Sequence, residues 1–183
     1  LHRHEAIQAL EWIPRVPHDQ REAYESLARE DGLVGFRVSE RAGEEGMRPA
    51  KSRSEYFPVF YVEPMAGNEA AIGFDLASNP TRRAALNEAE RTAEPVATAR
   101  IRLVQESGDQ FGFLVFVPVF RGADGGREGR LIGYALGVFR IGDIVESVLA
   151  YEDRADIVVA LYDDTAPAGE RLLYGRDTDG ASA

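Results

Sequence analysis

Residues 111–120 read FGFLVFVPVF and residues 131–141 read LIGYALGVFRI, and these two stretches decide the fold. Both are rich in the aromatic and β-branched residues that favour strands. The glycine-rich segment Gly122–Gly129 joins them, and a connection this short favours antiparallel pairing. A third apolar stretch, Val96–Gln105, precedes them. The sequence therefore predicts three consecutive antiparallel strands.

Helical patterns flank these strands and give an α+β order. Asn79 followed by Pro80 predicts the start of a helix, because proline is tolerated at the first helical position. In the segment Leu1–Ile13, apolar residues recur at helical spacing, which predicts an N-terminal helix. The other expected elements are a helix from Asp19 to Gly32, strands at Leu33–Val38 and Tyr56–Val62, a helix at Ile144–Leu149 and a strand pair at Ile157–Tyr162 and Arg171–Tyr174. This order favours an antiparallel sheet with helices on one face.

The composition excludes several classes of function. With 31 acidic and 21 basic residues the net charge is −10, which repels phosphate backbones and excludes a general nucleic-acid binder. The absence of cysteine excludes disulfides and thiolate metal sites, and three histidines predict neither a metal centre nor a cofactor. No catalytic motif of the common hydrolase or nucleotide-binding types occurs, so the chain is not expected to be an enzyme. The longest apolar run is too short to span a bilayer.

Small residues recur on one face of two predicted strands. Alternation places Ala97 and Ala99 on the apolar face of the first strand, and Gly133, Ala135 and Gly137 on one face of the last. If that face is covered by a helix, the small side chains leave room for a small-molecule cavity. Alternatively, bulky residues of the helix fill the space. The pattern alone leaves both alternatives open.

One acidic residue, Asp75, stands inside the apolar segment Ile72–Leu76. Burying an unpaired carboxylate is costly. The side chain is therefore expected to be solvated at a strand end, bonded to nearby backbone N–H groups, or reserved for the donors of a ligand. The segment does not decide among the three.

Short motifs along the chain resemble, in their order and spacing, those of the CHASE domain family. The motifs are LEWIPRV at 10–16, EYFPV at 55–59, GFDL at 73–76, FG at 111–112 with PVF at 118–120, and GY at 133–134 with GVF at 137–139. The resemblance extends from about Leu10 to Tyr174. CHASE domains are extracytoplasmic sensor modules of histidine kinases, diguanylate cyclases and related receptors, and the plant cytokinin receptors belong to the family.

The resemblance implies an N-terminal stalk helix followed by tandem PAS-like subdomains, one distal to the membrane and one proximal. The expected boundaries are 1–33 for the helical stalk, 34–141 for the distal subdomain and 142–183 for the proximal one. The ligand-recognising aspartate of the cytokinin receptors falls on Asp75, and a pocket leucine falls on Ala97. The smaller Ala97 widens the pocket and departs from the cytokinin-receptor pattern. The expected ligand-binding residues are Asp75, Tyr61, Ala97, Ala99, Val117, Gly133 and Ala135.

The function expected from the resemblance is that of a sensor on the extracytoplasmic, or periplasmic, side of the membrane. It would bind a small molecule with N–H donors or positive charge, such as an amine or a purine-like base, because the binding residue is an acid. It would form a homodimer through the N-terminal helix and signal through flanking transmembrane helices to a cytoplasmic kinase or cyclase. Two alternatives from other classes remain: a PAS-like dimerisation or spacer module without a ligand, and an enzyme that uses paired carboxylates.

Overall fold

The computed structural model describes residues 7–43, 46–101, 111–122, 129–149, 158–164, 166–169 and 171–176. The helices are α1 (Arg21–Glu30), α2 (Pro80–Thr92) and α3 (Ile141–Leu149). The strands are β1 (Ile7–Pro14), β2 (Val16–Pro17), β3 (Ser39–Arg41), β4 (Met47–Pro49), β5 (Glu55–Tyr56), β6 (Tyr61–Glu63), β7 (Val96–Ala97), β8 (Gly112–Arg121), β9 (Arg130–Arg140), β10 (Val159–Tyr162) and β11 (Leu172–Arg176). The predicted α+β class and antiparallel pairing are confirmed.

The central feature is a five-stranded antiparallel sheet in the order β6-β1-β9-β8-β7. Its longest ladder joins β8 to β9, from the Gly112–Arg140 pair to the Arg121–Arg130 pair. The two stretches that decide the fold therefore form neighbouring strands, as predicted. The hairpin β10–β11 was also expected, and it forms a separate two-stranded sheet.

The N-terminal segment is a strand, so the helix predicted over Leu1–Ile13 is wrong for residues 7–13; residues 1–6 lie outside the described residues. β1 pairs with β6 on one side and β9 on the other. Its inward face carries Ala9, Glu11 and Ile13, whereas Leu10 on the other face is 56% exposed. The charged Glu11 on the inward face hides the two-residue alternation, and the remaining apolar residues mimic helical spacing. Pairing along both edges of the strand outweighs that weak local signal.

Helix α2 covers the inward face of the sheet and was predicted correctly. Asn79 caps it, since its side-chain oxygen accepts a hydrogen bond from the backbone N–H of Arg82 at 3.1 Å. Leu86 and its alanine neighbours on α2 belong to one hydrophobic core with Phe116 of β8 and Leu136 of β9. The helix and the loops before it thus enclose one face of the sheet.

Other elements differ in extent from the expectation. Leu33–Val38 forms no strand, and the strand expected over Val96–Gln105 is limited to β7 and an isolated bridge at Ile101; residues 102–105 lie outside the described residues. Helix α3 begins at Ile141, three residues earlier than expected. The assignment of a stalk, a distal and a proximal PAS-like subdomain to 1–33, 34–141 and 142–183 stays a prediction.

Gly133 is the position in β9 where the sheet tolerates no side chain. A Cβ atom there would lie 2.3 Å from the carbonyl oxygen of Ile13 and 2.9 Å from the Cα of Pro14, both backbone atoms of β1. We expect Gly133→Ala to lower the free energy of unfolding by about 2–3 kcal/mol, because β1 must shift. Urea denaturation measures this loss.

Gly137→Ala is the matched control for that substitution. Its Cβ atom would meet the Phe139 ring at 2.7 Å, a side chain rather than backbone. We expect a loss of less than about 1 kcal/mol, because a ring yields more easily than a paired strand. Equal losses in the two variants would contradict the close approach of β1 to β9.

Candidate functional site

Asp75 lies at the start of the short 3₁₀ helix Leu76–Ser78, and its side chain is fully buried. One carboxylate oxygen accepts hydrogen bonds from the backbone N–H groups of Phe57 at 2.9 Å and Ala77 at 3.2 Å. The other lies 3.4 Å from a guanidinium nitrogen of Arg53. Of the three alternatives that the sequence left open, the geometry corresponds to a carboxylate bonded to backbone N–H groups. Its role in ligand binding stays a prediction.

A second buried carboxylate, Glu40 of β3, shares the same cation. Arg53 donates from its other terminal nitrogen to Glu40, so its guanidinium bridges Glu40 and Asp75. Glu40 also accepts bonds from the Arg48 side chain, at 2.8 and 3.1 Å, and from the backbone N–H of Lys51 at 3.3 Å. Neither Glu40 nor Arg53 stood out in the sequence, because both belong to polar, charged segments with no periodic pattern.

The two carboxyl groups respond differently to this environment. Burial raises the pKa of Asp75 above its usual value, and the bonds from Phe57, Ala77 and Arg53 only partly offset that rise. Burial also acts to raise the pKa of Glu40, but hydrogen bonds from Arg53 and Arg48 outweigh it and hold this pKa below its usual value. A single guanidinium thus supports two buried acids.

The space between the sheet and α2 is filled by the protein's own side chains. The Tyr134 ring contacts the rings of Phe57 and Phe116, with centroids 5.6 and 5.8 Å apart. The Tyr134 hydroxyl donates to the backbone carbonyl of Leu86 at 2.9 Å, and burial raises its pKa. The covered face of β9 therefore carries Tyr134, Leu136 and Val138, not the small residues.

The alanines predicted to lie on the covered face of the sheet do not lie there. Ala97 and Ala99 are exposed, so their predicted place on the covered face is wrong. Thr98 is buried instead, and its hydroxyl accepts a bond from the backbone N–H of Leu114 at 3.1 Å. Threonine fits either face of a strand, which is why alternation alone chose the wrong side. Ala135 is exposed on the same outer face.

The seven residues predicted to bind a ligand therefore do not surround one cavity. Asp75 is buried on the α2 side of the sheet. Gly133 is buried against the backbone of β1. Tyr61, Val117 and Ala135 lie on the outer face, where the pairing of β6, β1, β9 and β8 places them in one row with Trp12. Tyr61 and Val117 are exposed there, and the Tyr61 hydroxyl donates to Asp31 at 2.8 Å.

Ala97 and Ala99 do line an open cleft between β7 and the hairpin β10–β11. Its volume is about 590 Å³, within the range of small-molecule sites. The opposite wall includes Tyr162, Asp163 and Asp164. In the sequence, an Asp-Asp pair at this place is typical of a solvated turn. Their place opposite β7 depends on how the hairpin packs, which the local pattern does not specify.

The Arg53 bridge predicts a pH-dependent loss of stability. We expect Arg53→Ala to lower the free energy of unfolding by about 2 kcal/mol at pH 7, because two buried carboxylates lose their shared cation. Arg53 is partly exposed, which reduces the effect below that of a fully buried pair. Loss of Arg53 raises the folded-state pKa of each acid relative to the wild type, so ionisation of the acids costs the variant more stability as pH rises. In the wild type, folding lowers the pKa of Glu40. Its contribution to the free energy of unfolding therefore disappears as pH falls through that lowered pKa. The difference between the two proteins should therefore shrink from pH 7 to pH 4.

Arg48→Ala is the control for this measurement. Among the residues that the structure describes, Arg48 pairs with Glu40 alone, and its side chain is more exposed than that of Arg53. Its removal should cost less than about 1 kcal/mol. A gap between wild type and Arg53→Ala that is constant across this pH range would refute the shared-cation interpretation.

The comparisons with known proteins agree with the resemblance read from the motifs. The CHASE domain family model matches residues 1–174. A curated relative, hybrid signal transduction histidine kinase A of Dictyostelium discoideum, is 27% identical over 188 aligned residues. That alignment covers 93% of this chain but 8% of the relative, so the chain corresponds to a small part of a much longer protein. Within the described ranges, no helix is long and apolar enough to cross a membrane.

CHASE domains are extracellular sensor domains of membrane receptors, not catalytic domains. The family match covers nearly the whole chain, and the strands and helices described above lie almost entirely within it. The chain belongs to the CHASE domain family.

Proposed function

We propose that this chain is the ligand-binding domain of a transmembrane signalling receptor and recognises a cationic small molecule through Asp75 and Glu40. The observation that carries the proposal is the Arg53 bridge. A guanidinium, itself a cation rich in N–H donors, occupies the position between the two carboxylates. A ligand that carries an amine or amidine group would satisfy the same two acids.

The contacts of Arg53 favour such an exchange. Its side chain is 26% exposed, whereas those of Asp75 and Glu40 are 0% and 5% exposed. Arg53 belongs to the segment 50–54 between β4 and β5, which has no helix or strand of its own. A cation from solvent can therefore approach from the side of this segment, while Asp75 stays bonded to the backbone N–H groups of Phe57 and Ala77. Charge-assisted hydrogen bonds to buried acids give a site both affinity and specificity.

The charge of the site sets the ligand class. Removing the cation without replacing it would leave Asp75 with its backbone N–H bonds but without the guanidinium, and Glu40 with Arg48 and Lys51, which is unfavourable for two buried acids. A neutral or anionic ligand cannot compensate for that loss. Amines and amidines, which are cations at pH 7 and carry several N–H donors, meet this requirement. Of the ligands expected from the sequence, this favours the amine over a neutral purine-like base.

Signalling in this proposal passes from the extracytoplasmic domain to a cytoplasmic kinase or cyclase through flanking transmembrane helices. The similarity to a hybrid histidine kinase supports a kinase as the output. A ligand changes a receptor only if it binds one of two arrangements more tightly. We propose a homodimer as the unit with two arrangements. The contact expected through an N-terminal helix is revised, since residues 7–14 form a strand inside the sheet.

A second candidate function, a spacer module without a ligand, is favoured by one observation. Phe57, Phe116 and Tyr134 fill the space under α2, where the strand pattern left open either a cavity or a space filled by bulky side chains. A domain with a filled core transmits force between its ends without needing a ligand. The two functions differ in whether any small cation stabilises the chain.

Chemical rescue tests the proposed site. Arg53→Ala should leave a gap that methylguanidine fills, so methylguanidine should raise the melting temperature of this variant. A ligand that binds only the folded state adds about 1.4 kcal/mol of stability at ten times its Kd. The wild type should respond less, because Arg53 competes for the same acids. Thermal-shift measurements with methylguanidine, benzylamine and adenine give the comparison.

Two further variants make the result specific. Arg48→Ala removes a cation that contacts Glu40 only, and we expect no rescue of it by methylguanidine. The double variant Arg53→Ala with Asp75→Asn should lose the rescue, because one of the two acids is neutralised. If methylguanidine shifts Arg53→Ala and Arg48→Ala equally, or shifts neither folded variant, the cation site is rejected and the spacer function is favoured.

A further inference from the structure

We infer that the cleft between β7 and the hairpin β10–β11 is a second small-molecule site, which binds an organic ammonium ion with an aromatic or apolar body. This inference extends the sensor function proposed above and does not depend on the site at Asp75. The cleft has a volume of about 590 Å³. Pockets of this size enclose molecules of metabolite or drug size.

One wall of the cleft is apolar and fixed in position. Phe113 stacks on Phe139 with ring centroids 5.0 Å apart and planes within 8° of parallel. Ile141 beside it is buried. Ala97 and Ala99 contribute only methyl groups, so they leave the volume that larger residues would fill. An aromatic or aliphatic body would bury apolar area against this wall.

The opposite wall carries the polar groups. Tyr162, Asp163 and Asp164 lie at the end of β10 and in the following turn, where they line the cleft. Carboxylates attract an ammonium group through charge-assisted hydrogen bonds, and the face of a tyrosine ring attracts the same cation. Both kinds of recognition converge on a positively charged nitrogen.

Arg100 also lines the cleft, but other contacts engage its charge. Its guanidinium carbon lies 4.2 Å above the centroid of the Phe111 ring. One of its nitrogens donates to the backbone carbonyl of Leu172 at 2.8 Å. The lining therefore presents the exposed carboxylate of Asp164, whereas the charge of Arg100 is held to Phe111 and β11, and this difference selects a cation over an anion.

A ligand in the cleft would contact two parts of the fold at once. Ala97 and Phe113 belong to the five-stranded sheet, whereas Tyr162 and Asp164 belong to or follow the hairpin. The bond from Arg100 to Leu172 is a direct link between these parts. Occupancy of the cleft would add contacts on both sides of that link, so ligand binding would hold the hairpin against the sheet.

The test is ligand-observed NMR of 2-phenylethylamine with the whole chain. Two comparison compounds keep the same aromatic body: 2-phenylethanol, which lacks charge, and phenylacetate, which is an anion. We expect 2-phenylethylamine to bind with a Kd of about 1 mM, as befits so small a molecule. The alcohol and the acid should bind at least about tenfold more weakly, because they lack the charged donor. Equal binding of all three would overturn the inference.

Two tryptophan variants locate the binding. Ala97→Trp should fill the cleft and abolish binding, at little cost to folding because Ala97 is exposed. Ala135→Trp is the matched control, since Ala135 is exposed on the same face but does not line the cleft, and it should bind like the wild type. Asp164→Asn, at an exposed position, should weaken binding about tenfold. Unchanged binding by Ala97→Trp would overturn the inference.

A further variant separates this site from the one at Asp75. Asp75→Asn should still bind 2-phenylethylamine, since Asp75 is buried on the other side of the sheet. Loss of binding in folded Asp75→Asn with full binding in Ala97→Trp would reject the cleft and support the site at Asp75. Full binding in Asp75→Asn together with no binding in Ala97→Trp supports the cleft, whatever the outcome of the methylguanidine rescue.

Discussion

The insertion of β1 between β6 and β9 is the constraint on which the rest of the structure depends. The first described strand pairs with β9, which is separated from it by more than a hundred residues, and with the short β6. Immediately after β1, Arg15 donates to Glu55 at 2.7 Å and to Glu90 of α2 at 3.1 Å. These contacts bind the end of β1 to β5 and to the helix over the sheet. Gly133 is needed because β1 approaches β9 this closely.

The pleat of this sheet then separates the two candidate sites. Side chains of β1, β8 and β9 that point inward meet α2 and the loops before it, and there the acids Glu40 and Asp75 are buried near the same core. Side chains that point outward, among them Ala97 and Phe113, face the cleft and the hairpin. Because alternate residues face opposite sides, neighbouring residues of one strand face different sites. An error of one residue in assigning a face therefore moves a residue from one site to the other.

That sensitivity explains which parts of the molecule the sequence predicts. β8, β9 and α2 carry strong local signals: long apolar stretches and an Asn-Pro helix start. β1 does not, because Glu11 interrupts its inward face, and the pairing partners that make it a strand are distant in sequence. Ala97 was assigned to the covered face since neither alanine nor threonine marks a side strongly. Asp75 was identified as unusual, but its partner Arg53 lies 22 residues away in a polar segment without a pattern. Long-range charge pairing of this kind leaves no periodic trace.

The position of Arg53 also determines how the proposed ligand exchange would change the protein. The arginine is part of the segment 50–54, and its backbone N–H donates to the Tyr56 hydroxyl at 3.1 Å. Tyr56 is buried in the smaller of the two cores, together with Val38 and Phe60. In the proposed exchange, a ligand cation takes the place of the guanidinium, so the Arg53 side chain loses its contacts to Glu40 and Asp75. The acids remain paired, whereas the Arg53 side chain becomes free to take another position. Binding of the ligand must break the contacts of Arg53 with Glu40 and Asp75, so their free energy is subtracted from the binding free energy of the ligand. The same free energy couples ligand binding to the change in conformation.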